Sequence, residues 1–384
     1  MASVGIIAEY NPFHLGHLYH LTKVKEMFPD DTVVLILTSN FSQRGEPSII
    51  DKFKKTDIAL SLGIDLVVEL PFAFSTQSAD FFSDASIELL ESLKVEKLVF
   101  GSETNDIEII NTLVDTQLNN EDFDPLVKIY LKMGYNYPTS LSNALKDLTG
   151  NDMRLPNDLL GISYVKSIKK NNYNIKPYCI KRTNDYHDKS VEDNISSASA
   201  VREALKNKQD IKHTVPDITY QYLQGDLFFT EDYFKFLKYK ILTEPDLEIY
   251  QSVDEGLDKK VKKHIVKATS FDDLVHKLKS KRYTYNRINR MLIHILCSFT
   301  KEERKNMQKN EYIRILGFTT KGKDYLNKVK KDCPLPIISK FSKDQSKILD
   351  LELRISSVYA SILDEDKKME LIEKEYKFRP IIHK

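Results

Sequence analysis

"SVGIIAEYNPFHLGHLYHLTKVKEMFPDDTVVLILTS", residues 3–39, sets out in order an apolar run, a turn bearing histidines, a stretch with helical periodicity and a β-branched run. Apolar residues spaced by three and four predict a helix over 17–28, and the apolar runs on either side predict strands, so the order is β-α-β. The alternation continues outward. "DKFKKTDIALSLG" (51–63) predicts a helix stopped by Gly63 and "DLVVELP" (65–71) a strand stopped by Pro71. "SADFFSDASIELLESL" (78–93) predicts a helix and "VEKLVFGSE" (95–103) a strand. These strands are continuously apolar rather than alternating, as expected of strands covered on both faces. The pattern is that of an open parallel α/β sheet wrapped by helices.

Residues 105–150 are polar and helical in pattern, "MRLPNDLLGISYVKSIKKNN" (153–172) adds a helix, and "IKPYCIKR" (175–182) a further strand. At 384 residues the chain exceeds the ~250–300 at which one core usually stops growing. An α/β domain is expected over 1–215. From "ITYQYLQGDLFFTEDYFKFLKYKIL" (218–242) onward glycine is sparse and long helical stretches dominate, so 216–384 is expected to be a mainly helical C-terminal domain. Asp210 to Asp217 and Lys330 to Pro336 are the linker candidates.

Hydrophobic residues at 41% and charged residues at 29% describe a folded globular chain, not a disordered or fibrous one. A formal net charge of +1 means that any basic surface must arise from local segregation of Lys and Arg. Cys179, Cys297 and Cys333 are odd in number and far apart, which signals neither a disulfide framework nor a thiolate zinc site. No run approaches the ~18 apolar residues of a membrane helix, and the N-terminus lacks a basic leader. The expected location is the cytoplasm, away from any membrane.

In "NPFHLGH", His14 and His17 flank Gly16 where the first strand hands over to the first helix, and in an open α/β sheet that is where ligands bind. A helix N-terminus is expected to present unpaired N–H groups and the positive end of the dipole to an anion. Two imidazoles there can donate to phosphate oxygens and to the charge growing on a departing diphosphate. No Glu or Cys accompanies the H-x-x-H at zinc spacing, so no metal ligands are assigned. His20, one turn deeper, either supports the site or packs.

N-P-F-H-x-G-H is also the signature of the nucleotidyltransferases related to class I aminoacyl-tRNA synthetases, which this chain resembles. The resemblance implies their Rossmann-like parallel sheet of HUP type and an ATP site. "ISSASAVRE" (195–203) resembles the I-S-S-T-x-x-R phosphate loop of the same enzymes, with Ala198 and Ser199 displacing the usual Thr. Hydroxyls and Arg202 at a helix start suit an anion, although a Ser-rich stretch there equally suits a helix cap. "SNFSQRGEPSIIDKFKKTDIALSLGIDLVVELPF", "STQSADFF", "PNDLLGISYVKSI" and "YIRILGFTTKGKDYL" resemble, in order, the bacterial tRNA-Met cytidine acetate ligases across nearly the whole chain.

That resemblance implies activation of acetate by ATP to acetyl-adenylate, then acetylation of the exocyclic amine of the wobble cytidine in elongator tRNA-Met. Carried over position by position, ATP lies along Ile7, Ala8, Glu9, Tyr10, Asn11, Pro12, Phe13, His14, Leu15, Gly16, His17, Leu18, Tyr19 and His20. Gly101, Asn157 and Arg182 add further contacts, His14, His17, Ser197 and Arg202 form the catalytic set, and Mg²⁺ is expected on the phosphates. Gln43 and Arg44 in "SNFSQRGEP" are candidates for the carboxylate or a phosphate, and Glu46 for a turn cap.

The segregated charge lies in "KLKSKRYTYNRINR", residues 277–290, with six Lys or Arg and no acid. Read as a basic helix, it offers Lys277, Lys281, Arg282, Arg287 and Arg290 to RNA phosphates and Tyr283 to an unstacked base. A solvated helix face explains the same run without RNA. Two other readings stand beside the ligase. One is a nucleotidyltransferase for a small phosphorylated metabolite, which needs no basic helical region. The other is a nonenzymatic RNA-binding factor, which needs no intact histidine pair.

Overall fold

In the computed structural model, which describes residues 2–182, 197–340, 346–377 and 379–384, the strand and helix order through β5 follows the sequence pattern. β1 (Ser3–Ala8), α1 (Leu15–Met27), β2 (Thr32–Thr38), α2 (Lys52–Ser61) and β3 (Leu66–Leu70) come first. Then come α3 (Phe72–Ser75), α4 (Ala79–Ser92), β4 (Lys97–Ser102), α5 (Ile107–Asn119), α6 (Phe123–Lys132), α7 (Tyr137–Thr149), α8 (Pro156–Lys170) and β5 (Lys176–Lys181). Beyond them run α9 (Ala198–Lys206), α10 (Asp217–Tyr222), α11 (Phe234–Thr243), α12 (Leu257–Ile265), α13 (Phe271–Leu278), α14 (Tyr285–Leu296) and α15 (Lys301–Asn306). The chain closes with β6 (Ile313–Thr319), α16 (Thr320–Val329), β7 (Ile337–Ile338), α17 (Lys347–Tyr359), α18 (Glu365–Lys377) and β8 (Ile381–His383).

The strand order is β5-β4-β1-β2-β3-β6-β7, with β8 also on β6. β1 to β5 are mutually parallel, and their order reverses at β1, which pairs with β2 on one side and β4 on the other. Val33 to Leu37 are essentially inaccessible to solvent, as strands covered on both faces must be. Crossovers of this kind open a crevice at the carboxyl ends of β1 and β4.

The chain past residue 216 is largely helical, but it does not stand apart from the sheet. β6 runs antiparallel to β3, pairing Leu66 with Phe318 and Val68 with Ile315, and carries β7 and β8 on its far edge. Buried apolar residues from Val4 to Leu371 form one connected cluster. A domain boundary at 215/216 therefore needs amending to let the chain re-enter the sheet at Ile313. Two residues disguise β6 in the sequence. Arg314 puts a charge into an otherwise apolar run. Gly317 is required because a Cβ there would lie 2.7 Å from Leu60 and 2.9 Å from the Ile381 carbonyl.

Arg314 is fully buried, as are Lys52 on α2, Glu69 on β3 and Glu375 on α18. Lys52 Nζ reaches Glu69 Oε1 at 2.5 Å and Glu375 Oε1 at 2.8 Å, and Arg314 reaches the same two carboxylates at 2.9 and 2.6 Å. These two cations hold the Glu375 carboxyl at about 2 against the opposing effect of burial. Neither presumed linker is free. Ile211, Thr214 and Val215 are buried, and the Thr214 carbonyl accepts the Leu15 N–H at 3.0 Å, while the Pro336 carbonyl accepts Ile313 N–H at 2.9 Å.

Candidate active site

The turn after β1 is held by its own side chains. Tyr10 has φ of 46°, a left-handed conformation uncommon in a non-glycine residue, and its ring packs 4.5 Å from Phe13 and 4.8 Å from His17. A cis Asn11–Pro12 peptide follows. Asn11 then pins the turn to the β2–α2 loop, donating to the Pro47 carbonyl at 3.2 Å and accepting Ile49 N–H at 2.6 Å.

His14 caps α1: its Nδ1 accepts Gly16 N–H at 3.0 Å, and its own N–H donates to His17 Nδ1 at 3.3 Å. This corrects the expectation of free backbone donors. Leu15 N–H goes to Thr214, Gly16 N–H to the His14 ring and His17 N–H to the His14 carbonyl, so the first turn is already satisfied. What is left for the cavity that both rings line is the second nitrogen of each imidazole. With both Nδ1 atoms accepting, the neutral rings carry their protons on Nε2.

Burial, reinforced by Arg182 and Arg202, pushes His14 down to about 3. Burial with His14, Arg182 and His20 nearby also lowers His17, and burial with Arg182 takes His20 to about 4. The rings of His14 and His17 lie 3.8 Å apart, so charging one opposes charging the other. The site holds neutral donors surrounded by permanent cations.

Those cations are placed by hydrogen bonds over long sequence distances. Arg202 on α9 donates to the Asn11 carbonyl at 2.7 Å and pairs with Glu46 at 2.6 Å, so the Glu46 side chain serves Arg202 rather than capping its turn. Arg44 donates to Ser199 Oγ at 3.2 Å. Ser197 caps α9, accepting Ala200 N–H at 3.2 Å; Ile195 and Ser196 of the same motif lie outside the described residues. Across the crevice Arg182 donates to Asn157 Oδ1 at 3.4 Å, and Asn157 donates to Glu103 at 2.6 Å. Buried Asp158 fastens that corner by accepting from Ser102, Thr104 and the Glu103 N–H. A Cβ on Gly101 would touch the Arg182 stem at 3.4 Å.

The arginines, Asn157, Ser197 and Ser199 line one cavity of about 1060 Å³ with the histidines. Ile7, Ala8, Glu9, Tyr10, Asn11, His14, Gly16, His17, Tyr19 and His20 face it, as do Gly101, Asn157, Arg182, Ser197 and Arg202. Pro12, Phe13, Leu15 and Leu18 lie behind, shaping the turn and packing α1. Gln43 lies between two walls: its N–H donates to Glu9 at 2.7 Å, and its carbonyl accepts Arg290 at 2.9 Å.

The basic stretch expected as one helix is two helices with a loop between, α13 ending at Leu278 and α14 starting at Tyr285. Arg282, Arg287 and Arg290 line the same cavity as the histidines, whereas Lys277, Lys281 and Tyr283 do not. Lys277 pairs with Asp273 along α13. Tyr283 is only 7% exposed, donates to Glu255 at 2.5 Å and lies 4.9 Å beneath the Arg287 guanidinium, so its ring is not offered to a base. Six arginines and Lys181 thus face the cavity against three carboxylates, Glu9, Asp80 and Glu255, in a chain of net charge +1.

Sequence reasoning missed Gln77 and Gln251, which hydrogen-bond at 3.3 Å, and the aromatic group Phe81, Tyr135 and Tyr137, all on the cavity wall. The only signal for the first was the ordered motif "STQSADFF"; the tyrosines sit in a stretch that read simply as polar helix. Among the described residues no three His, Cys, Asp or Glu side chains are grouped to hold a metal ion.

A sequence model of the HIGH nucleotidyl transferase family matches residues 1–375. A tRNA(Met) cytidine acetate ligase of Geobacillus sp. (strain WCH70) is 39% identical over 400 residues, covering all of both chains, and that of Clostridium perfringens is 38% identical over 405, again covering both. The crystal structure of apo Thermotoga maritima TmcAL superposes with a TM-score of 0.91 at 31% identity, covering 100% of this chain and 99% of that one. A second structure of that protein, bound with alpha-thio ATP, superposes at 0.89 with 30% identity and the same coverage.

Proposed function

The chain belongs to the tRNA(Met) cytidine acetate ligases within the HIGH nucleotidyl transferase family, and from that footing we propose how its cavity performs the chemistry of an ATP-dependent, tRNA-modifying ligase. ATP binds at the carboxyl ends of β1 and β4. An acetate oxygen attacks the α-phosphorus, the bond to the bridging oxygen breaks, and diphosphate leaves. The wobble cytidine of elongator tRNA-Met then attacks the acetyl carbon through its exocyclic amine. The bond to AMP breaks, the amine loses a proton, and acetylcytidine and AMP result. A tRNA substrate puts this work in the cytoplasm.

The observation that carries this reading is the neutral Nε2–H pair of His14 and His17, fixed by local capping and facing a cavity shared with Arg282 and Arg287. In this role His14 and His17 donate to phosphate oxygens without needing to be charged first, so they serve the charge that grows on the departing diphosphate. Arg202, Arg182 and Arg44 neutralise the remaining phosphate charge. Ser197 positions Arg202 by starting α9, and Gly101 and Asn157 border the nucleoside end. Arg44 and Gln43 are the carboxylate candidates for acetate. Mg²⁺ travels on the ATP phosphates, and no step is assigned to it.

A volume near 1060 Å³ slightly exceeds the ~300–1,000 Å³ usual for a single small-molecule site, in keeping with a cavity that admits a nucleotide and a base together. The same observation, with the arginines on its far wall, favours the ligase over a transferase acting on a small metabolite. The test is to incubate the protein with ATP, labelled acetate and bulk tRNA. Acetate-dependent AMP and label in cytidine are expected; nucleotide transfer to a small metabolite without labelled RNA favours the alternative. His17→Ala is expected to lower turnover by roughly 10²–10³-fold and His17→Asn, which keeps a donor, by less. Full activity in His17→Ala removes the phosphate role.

A further inference from the structure

Tyr283 is occupied by Glu255 and Arg287, yet three aromatic side chains on the cavity wall stand open: Phe81 at 48% exposure, Tyr135 at 45% and Tyr137 at 46%. Tyr135 and Tyr137 flank the corner between α6 and α7, and that corner is braced. Gly134 turns it at φ of 87°, Asn136 caps α7 by accepting Thr139 N–H at 3.1 Å, and the Tyr135 ring packs on Tyr130 at 6.1 Å. Asn136 also donates to the Lys281 carbonyl at 3.4 Å, which joins the corner to the arginine-bearing loop before α14.

We propose that Tyr135 and Tyr137, with Phe81 on α4, form the platform on which unpaired bases of the RNA loop stack as the target cytidine enters the cavity. The proposal rests on the reading of tRNA as the substrate. Every base presents a π-face, so an aromatic ring held open to solvent serves loop bases of any sequence. Arg282 and Arg287 line the same cavity, so a strand stacked on the tyrosines has cations within that cavity for its phosphates. The cavity is continuous to His14 and His17, so a base that leaves its stack here moves toward the acyl-adenylate without crossing the protein surface. A base in a loop is already partly unstacked, which keeps its extrusion inexpensive. Half-exposed rings braced by a capped corner lose little freedom when a base docks.

The test compares Tyr135→Ala/Tyr137→Ala with Tyr135→Phe/Tyr137→Phe in the full chain. Three quantities are read: KM for tRNA in acetate-dependent acetylation, acetate-dependent ATP–diphosphate exchange without RNA, and anisotropy of a labelled anticodon stem-loop RNA. The double Ala variant is expected to raise KM for tRNA and weaken stem-loop binding roughly tenfold or more, with exchange retained as proof of an intact ATP end. The double Phe variant keeps both values, because the rings remain. Unchanged KM and stem-loop binding in the double Ala variant overturn the platform. So does a loss that tracks dissociation of a dimer in sedimentation velocity, which would mark the rings as a contact between copies. If wild type gives neither exchange nor acetylation, the ligase reading has failed; the stem-loop measurement still decides the platform.

Discussion

His14 and His17 are held in a way that their sequence spacing alone does not convey, and that suits the anion role proposed for them. Their Nδ1 atoms are used up by backbone N–H groups of the same turn, so each ring is a neutral, directed donor. His20 is the counterpart: its Nε2 is buried and makes no hydrogen bond among the described residues. Both features have a consequence for stability. Burial, with help from Arg182, holds His14 at about 3 and His20 at about 4, whereas an unfolded histidine titrates near ~6.5. Between those limits the unfolded chain binds more protons than the folded one. Stability is therefore complete above pH ~6.5 and drains as pH falls toward 4, by up to ~1.4 kcal/mol per pH unit for each such histidine. His20→Leu removes one of these groups and one unsatisfied nitrogen. Its urea midpoint at pH 7 should rise by the equivalent of about 1 kcal/mol, its acid limb should be shallower by one proton, and its affinity for ATP should fall. An acid limb identical to wild type would show that His20 carries a proton in the folded state.

At the scale of elements, α18 and β6 are joined to the sheet through charges where apolar contacts would be usual. Arg314→Met leaves Glu69 and Glu375 facing Lys52 alone in a solvent-free interior. The expected loss is about 3–5 kcal/mol, read from the denaturant midpoint, with faster amide exchange in β6 and β8 than in β1. A loss below ~1 kcal/mol would mean that water enters the cluster and screens it. The same residue explains why part of the fold was not legible. β1 to β4 announce themselves as largely apolar runs because both of their faces are covered, whereas the edge strand β5 keeps an exposed lysine at each end. β6 is also covered on both faces, but Arg314 and Gly317 interrupt its run for reasons that lie 245 residues upstream, at Glu69, and on α2 at Leu60. The histidine pair and its helix were legible because capping is local. Arg44 meeting Ser199 and Arg202 meeting Glu46 were not, since sequence spacing carries no information about contacts some 155 residues apart. Tyr283 and Tyr135 differ only in where the backbone points them, and composition ranks them equally.

For the molecule as a whole, near-neutral net charge conceals a strongly polarised interior surface. Six arginines face the cavity, three of them beside the histidine turn and three on α14 or the loop before it, against only three carboxylates on the same wall, Glu9, Asp80 and Glu255. This division separates the two half-reactions by their response to salt. RNA neutralised by arginine releases condensed counterions, so tRNA binding should weaken steeply with added KCl, whereas ATP–diphosphate exchange without RNA should change little. Arg282 is the cleanest probe, being 61% exposed and paired with Glu255 at 2.7 Å. Arg282→Gln should weaken tRNA binding to any sequence and lower the slope of log K against log[KCl] by about 1, with exchange unaffected in its salt response. The slope is measured by titrating labelled tRNA at several KCl concentrations for wild type and variant. Parallel lines would mean that Arg282 never leaves Glu255, and that Arg287 and Arg290 alone meet the RNA from that side of the cavity.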